Sequence, residues 1–278
     1  MRDLAGKTAF VTGGAGGIGF ALGRAFAQAG MKVTLADIET DVLEAAVNGL
    51  RTIGPVRGVV CDVADPTSVE RAASETIQAF GNVHVVCNNA GVAAAGGIDN
   101  ISLDNWRWVL DVNLMGVLHG IRAFLPHIRG HGEGGHIVNT ASMAGMDGGL
   151  GFSPYTASKF AVVGMSEGLA QQLKPHGIGV SVLCPSFVRT RIAESGRNRQ
   201  QRYGETRTPD PASPSGQMLA SIAASVAAGL DPAEVAARVL AAIRDDELYV
   251  FTHPEIRDGV DTRFAAIHAA MDKAAAAS

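Results

Sequence analysis

The sequence predicts an α/β fold: one domain built on a doubly wound, mostly parallel sheet with helices on both faces. Three observations predict it. Short apolar runs suited to buried strands alternate with longer stretches of helical periodicity from residue 7 to residue 252, and alternation of this kind builds parallel sheets. The first apolar run leads at once into a glycine-rich turn and an amphipathic stretch. Polar residues recur at the carboxyl ends of the runs, which is where open α/β sheets hold their ligands.

The length of 278 residues suits one large domain, here taken as residues 1–278. The net charge of −4 excludes a polybasic surface for nucleic acid or an acidic membrane. Runs of 18 or more uninterrupted apolar residues, the signature of a membrane span, are absent. The first ten residues enter a strand with no apolar leader, so a cytoplasmic protein is expected. Cys61, Cys87 and Cys184 stand singly in apolar runs and read as reduced core thiols. His127, His131 and His136 form the one histidine cluster. Gly130 and Gly132 argue against a continuous helix presenting two of them as ligands, so a solvated loop is expected there and no metal.

Lys7 to Thr12 reads as a strand, T-G-G-A-G-G-I-G as a turn with glycines at 13, 17 and 19, and the following residues as a helix closed by Gly30. Glycines let the backbone turn tightly and approach a pyrophosphate, and the helix N-terminus supplies N–H groups and a favourable dipole. That is a dinucleotide-binding arrangement of Rossmann type. The second strand, Lys32 to Ala36, ends at Asp37. A carboxylate about 20 residues beyond the turn accepts hydrogen bonds from the adenosine ribose and repels the extra phosphate of NADP. The turn itself contains no Lys or Arg for that phosphate, so NAD is expected.

A helix over Val42 to Thr52 leads to a third strand, Val56 to Cys61, ending at Asp62 and Val63, placed to meet adenine. Asp65 and Pro66 start the next helix as N-cap and first-turn residues. A fourth strand over Val83 to Cys87 ends in N-N-A-G, Asn88 to Gly91. Asn105 to Ile128 reads as one long helix with Asn113 in its interior, an unfavourable place for asparagine unless its amide has a specific partner. The fifth strand, Gly135 to Thr140, leads to Ser142, and a helix from Pro154 to about Leu173 carries Tyr155 and Lys159. Residues four apart share a helix face. A nearby ammonium favours a phenolate and lowers its pKa from about 10, so this pair reads as a general base for an alcohol proton, with the Ser142 hydroxyl holding the same oxygen. The sixth strand, Gly179 to Cys184, runs into P-S-F-V-R-T. Residues 191–228 are rich in Gly, Pro and Arg and read either as an exposed surface insertion with solvated arginines or as a mobile cover whose arginines could meet an anionic or phenolic substrate. A helix capped by Asp231, a seventh strand over Leu248 to Thr252 and a helical extension over 254–276 complete the chain.

These motifs, in this order and spacing, resemble the short-chain dehydrogenase/reductase family, in its T-G-x-x-x-G-x-G and Y-x-x-x-K subgroup, over about residues 4–190. The resemblance implies that Tyr155 is the general acid/base, that Lys159 lowers its pKa and binds the nicotinamide ribose, that Ser142 holds the substrate oxygen, and that Asn113 supports a proton-relaying water. It implies coenzyme contacts at Gly13, Gly17, Ile18, Gly19, Asp37, Ile38, Asp62, Val63, Asn89, Ala90, Gly91, Tyr155, Lys159, Pro185, Val188 and Thr190. Ser186 stands where the family usually carries glycine, and is expected to tighten the backbone there without abolishing binding. Segments such as D-D-E-L-Y-V-F-T-H-P-E-I-R are similar to a bacterial branch that includes dehydrogenases of the benzylic alcohol in aryl ethers. The expected activity is NAD-linked interconversion of a secondary, aromatic or bulky alcohol and its ketone. The alternatives are an NADPH-dependent carbonyl reductase and a non-catalytic dinucleotide-binding protein. The family also implies a homodimer or homotetramer formed through the helices carrying Tyr155 and Asn113; the apolar positions Phe160, Val163 and Leu169 are consistent with that and equally with packing inside one chain.

Overall fold

The structure, a computed structural model, describes residues 1–94, 98–148, 153–205 and 209–277. Residues 149–152 of the stretch before Tyr155, 206–208 of the expected cover and Ser278 lie outside the described residues. Seven strands, β1 (Thr8–Thr12), β2 (Lys32–Asp37), β3 (Val56–Val60), β4 (Val85–Asn88), β5 (Gly135–Thr140), β6 (Ile178–Cys184) and β7 (Tyr249–Phe251), form one sheet. Their order is 3-2-1-4-5-6-7, and each neighbouring pair is parallel. This is the doubly wound arrangement the alternation predicts. The order reverses between β1 and β4, and the crevice at that point faces the glycine turn.

Alternation along each strand feeds two cores. Phe10 and Val86 face one side with Phe124, Ile128 and Val162. Ala9 and Val11 face the other with Leu22, Phe26, Val239 and Ile243. Helices α1 (Gly17–Gln28), α2 (Thr40–Leu50) and α8 (Pro232–Asp245) cover the second side. The first side takes α3 (Pro66–Phe80), α5 (Gly116–His131) and α6 (Ser153–Leu173), with α4 (Leu103–Leu110) running into α5. Asp65 and Asp231 cap their helices as predicted, accepting from the Thr67 and Ala233 N–H groups at 3.0 and 2.8 Å. The three cysteines are buried and free, as expected. Among the described residues, Leu103–His131 is long and apolar enough to cross a membrane, with a mean hydropathy of 1.2, but half of that window is buried inside the fold.

Two expectations need correction. The predicted single helix over Asn105 to Ile128 contains a π turn, Asp111–Met115, between α4 and α5. The histidine cluster is not a solvated loop. α5 continues through Gly130 to His131, and His136 is fully buried in β5. His127 Nε2 accepts from the Val83 N–H at 3.2 Å, His131 Nε2 reaches the Val83 carbonyl at 3.0 Å, and buried His84 meets Glu133 at 2.8 Å. These contacts tie the end of α5 to the start of β4. His84, His131 and Glu133 stand close enough to share a cation, yet the ring nitrogens of His84 and His131 are occupied by Thr8 N–H, Glu133 and the Val83 carbonyl. Val163 and Leu169 are buried within their own chain, which is the intramolecular packing the sequence also allows, and Phe160 carries the Arg263 guanidinium over its ring at 5.0 Å.

Burial lowers His84 and His127 below the ordinary histidine value and His136 to about 4. The His136 Nδ1 has no hydrogen-bond partner, while its Nε2 meets Ser181 Oγ at 2.8 Å. The unfolded chain therefore binds protons that the folded chain refuses between about pH 6.5 and 4. The stability of neutral His136 is complete above that window and lost as pH falls through it, by roughly 3 kcal/mol. The melting temperature is expected to drop by several degrees between pH 7 and pH 4.5. A flat profile, measured by circular dichroism, would contradict it.

Candidate active site

A cavity of about 920 Å³ opens along the carboxyl edge of the sheet. It is lined by every predicted coenzyme residue except Gly19, and by Ser142, Tyr155 and Lys159. At one end lies the glycine turn. Gly19 packs so closely that an added Cβ would stand 2.0 Å from the Gly13 carbonyl oxygen, and a Cβ on Gly17 would stand 2.8 Å from Thr190 Cγ2. The N-terminus of α1, with Gly16 as cap and no side chain closing it, presents free N–H groups to the cavity. This is a cradle for phosphate.

Asp37, at the end of β2, points its carboxylate across the mouth of that cradle. It accepts from Ala15 N–H at 2.9 Å and Glu39 N–H at 3.1 Å. Burial raises its pKa, against the pull of those bonds. Beneath the cavity floor Thr12 Oγ1 accepts from the Asn89 and Ala90 N–H groups at 2.9 and 3.0 Å. The N-N-A-G segment is thus bolted to β1, and Gly91 lies against Lys159, whose Nζ would be 3.6 Å from an added Cβ.

At the other end α6 brings Tyr155 and Lys159 to one face. Lys159 Nζ stands 5.4 Å from the centre of the Tyr155 ring and donates to the Thr140 carbonyl at 2.8 Å. Burial depresses Lys159 to about 8. Burial also pushes the Tyr155 phenol up, while its hydrogen bond with Ser142 pulls it down. The net direction for Tyr155 is upward, opposite to what the Tyr–Lys spacing suggests, because desolvation outweighs the Ser142 hydrogen bond. Ser142 Oγ accepts from Ala144 N–H at 3.1 Å and donates to the Pro185 carbonyl at 3.3 Å, which joins β5 to the segment after β6.

Asn113 sits fully buried in the π turn, where the extra residue turns its amide toward the sheet edge. Its Oδ1 accepts from Val92 N–H at 2.8 Å, and its Nδ2 donates to the Val92 carbonyl at 3.0 Å and to Ser158 Oγ at 3.2 Å. The partner that an interior asparagine requires is therefore the backbone after N-N-A-G. Its amide is occupied by that backbone and by Ser158.

The cover differs most from expectation. Its first part forms 3₁₀ turns at Ile192–Asn198 and Gln201–Tyr203, and its second is α7 (Pro214–Ala227). Arg197 grips Glu39 at 2.7 Å, with Arg191 at 3.6 Å and Asn198 at 3.1 Å on the same carboxylate. Gln200 and Arg202 occupy Asp62 at 3.0 and 2.8 Å. Arg199 lies over Trp108 at 5.1 Å and donates to Asn105 Oδ1 at 2.6 Å. Each of these arginines is held by a protein partner. The substrate end of the cavity is instead apolar, with Ala93, Met143, Phe187, Met218, Ile222 and Val226 on its walls. Sequence reasoning missed Glu39, Gln200 and the apolar face of α7. The acidic residue two places after Asp37 was the one available signal for the first of these.

The fold, the glycine cradle and the Ser142–Tyr155–Lys159 cluster together define an oxidoreductase of the Rossmann class. A short chain dehydrogenase family profile matches residues 7–201, and the chain belongs to that family. It is 36% identical over 269 residues to a C alpha-dehydrogenase of Sphingobium sp., covering 96% of this chain and 87% of that one. It is 36% identical to a 3beta-hydroxysteroid dehydrogenase of Eggerthella lenta over 78% of this chain and 89% of the relative. A short chain dehydrogenase/reductase of Burkholderia phymatum, solved in complex with NAD, superimposes with a TM-score of 0.92 at 38% identity, over 96% of both chains.

Proposed function

We propose that this chain is an NAD-dependent dehydrogenase that interconverts a secondary alcohol, aromatic or otherwise bulky, with its ketone. The observation that carries the reading is the convergence of Ser142, Tyr155 and Lys159 on one cavity with an apolar substrate end and a phosphate cradle at the other. The bound coenzyme supplies the hydride chemistry at its nicotinamide ring. Gly13, Gly17, Ile18 and Gly19 hold its diphosphate, and Asp37 and Ile38 hold the adenosine ribose. Asp62 and Val63 frame the adenine. Asn89, Ala90 and Gly91 line its middle, and Pro185, Val188 and Thr190 border the nicotinamide. Tyr155 takes the hydroxyl proton of the alcohol, Ser142 holds the same oxygen, and Lys159 orients the ribose and supports the phenolate. Asn113 steadies the backbone around a proton-relaying water. A homodimer or homotetramer is part of the same reading.

The test is NADH formation across 1-arylethanols, aryl ether diols and sterols, with NAD and NADP compared at equal concentration. Turnover with aromatic carbinols is the expected result, and silence across the panel would refute the substrate assignment. The coenzyme preference follows from Asp37 and Glu39. A 2′-phosphate brought against those carboxylates meets like charge, which costs several kcal/mol. NAD is expected to be favoured by on the order of 10²-fold in kcat/KM, equivalent to about 2.7 kcal/mol. Asp37→Ser should shrink that ratio mainly by improving NADP, since Arg191 and Arg197 stand nearby. Equal use of both coenzymes by the unaltered chain would contradict the assignment of Asp37.

A further inference from the structure

His253, the residue after buried Thr252 at the end of β7, lies outside the cavity lining. It nevertheless meets the active site through a single peptide group. The N–H of Ser186 donates to His253 Nδ1 at 3.3 Å, and Thr252 Oγ1 lies 2.6 Å from the same nitrogen. A backbone N–H can only donate, so Nδ1 is the acceptor in the Ser186 contact. The other end of that peptide is the Pro185 carbonyl, which accepts from Met143 N–H at 2.9 Å and Ser142 Oγ at 3.3 Å. The peptide is therefore held from both sides, by Ser142 in front and by His253 behind. Hydrogen bonds in series polarise one another, so a lone pair at Nδ1 strengthens the carbonyl as the resting place of the Ser142 proton.

We propose that His253 is a positioning residue for alcohol oxidation, acting through the Pro185–Ser186 peptide to fix the orientation of Ser142 and the segment beside the nicotinamide. The proposal rests on the dehydrogenase reading above. The reason Ser142 is sensitive is its single proton. Ser142 Oγ accepts from Ala144 N–H, gives its one hydrogen to the Pro185 carbonyl, and is also hydrogen-bonded to Tyr155. The position of that carbonyl decides how the hydroxyl faces the substrate oxygen. The charged groups on the surrounding elements are Arg238 of α8, which donates to the Phe251 and Thr252 carbonyls at 3.1 and 3.0 Å, Glu255 on the turn Pro254–Ile256, and Asp147, which approaches Gly259. Arg238 holds the strand end in place.

The experiment compares His253→Leu, which fills similar space without an acceptor, with His253→Asn, whose amide oxygen can replace Nδ1. His253→Leu is expected to lower kcat by roughly 10–100-fold, the scale of a small misplacement of a reacting group. NADH affinity by fluorescence should change by less than about threefold, because the phosphate cradle and Asp37 lie at the far end of the cavity. His253→Asn is expected to recover most of the lost kcat. Melting curves of both variants separate a folding defect from a positioning one. An active unaltered enzyme together with a His253→Leu variant of the same kcat overturns this inference and leaves the dehydrogenase reading standing. So does a folded His253→Asn variant as slow as His253→Leu. An unaltered chain silent with every alcohol and ketone strikes the dehydrogenase reading first, and this inference with it.

Discussion

Replacement of Tyr155 by Phe is expected to lower alcohol turnover by about 10²–10⁴-fold, the range supplied by a positioned acid/base group. The substitution removes one oxygen and keeps the ring, so the contact between the ring and Lys159 at 5.4 Å survives. Burial of Lys159 and its bond to the Thr140 carbonyl are untouched. NADH affinity should therefore stay within a few-fold of the unaltered protein, and the melting temperature should hold. The loss should fall on kcat, because the phenolic oxygen acts on the reacting proton and adds little to ground-state binding. Stopped-flow traces with a substrate from the alcohol panel would check it. A variant that kept more than about a tenth of the rate would remove Tyr155 from the proton path, since no single acid/base group is worth so little.

The second large effect is expected from Gly19→Ala. An added methyl would stand 2.0 Å from the Gly13 carbonyl oxygen and 2.7 Å from Asn89 Nδ2. The nearer contact is backbone, so relief requires the turn itself to move. Overpacking of this kind costs about 1–3 kcal/mol of stability, and displacement of the cradle N–H groups should cost on the order of 10²-fold in NADH affinity, or about 2.7 kcal/mol. Gly16→Ala is the control for stability: its backbone is extended at φ −159° and nothing lies within 4 Å of the added carbon. That variant should melt with the unaltered protein. Undiminished NADH binding by Gly19→Ala would show that the coenzyme diphosphate lies elsewhere.

What the sequence revealed, and what it hid, follows from the range of the forces involved. β1, the glycine turn and α1 are legible because their signals are local: buried alternation, glycine and helix periodicity lie within about 30 residues. The same holds for Asp37 and Asp62, which follow strands directly. The π turn was not legible. It adds a residue to the helix around Asn113 without an inserted Gly or Pro, and only the distant Val92 backbone explains it. The histidines misled for a related reason. Gly130 weakens the helix locally, yet Val83, more than 40 residues away in the chain, holds His127 and His131 in place. Arg197 and Arg202 gave no sign of their destination, because Glu39 and Asp62 lie far upstream. His253 was equally silent, its partner Ser186 being 67 residues away.

The cover is fastened unevenly. Its first stretch is held by Glu39 and Asp62 at the carboxyl ends of β2 and β3, while α7 contributes apolar lining to the same cavity. On the proposed reading the coenzyme's adenosine lies under the fastened stretch, so NADH release is expected to quicken as dissolved ions screen the half-exposed bridges of Arg191, Arg197 and Arg202. Stopped-flow release of NADH at rising salt checks it, and a salt-independent rate would contradict it.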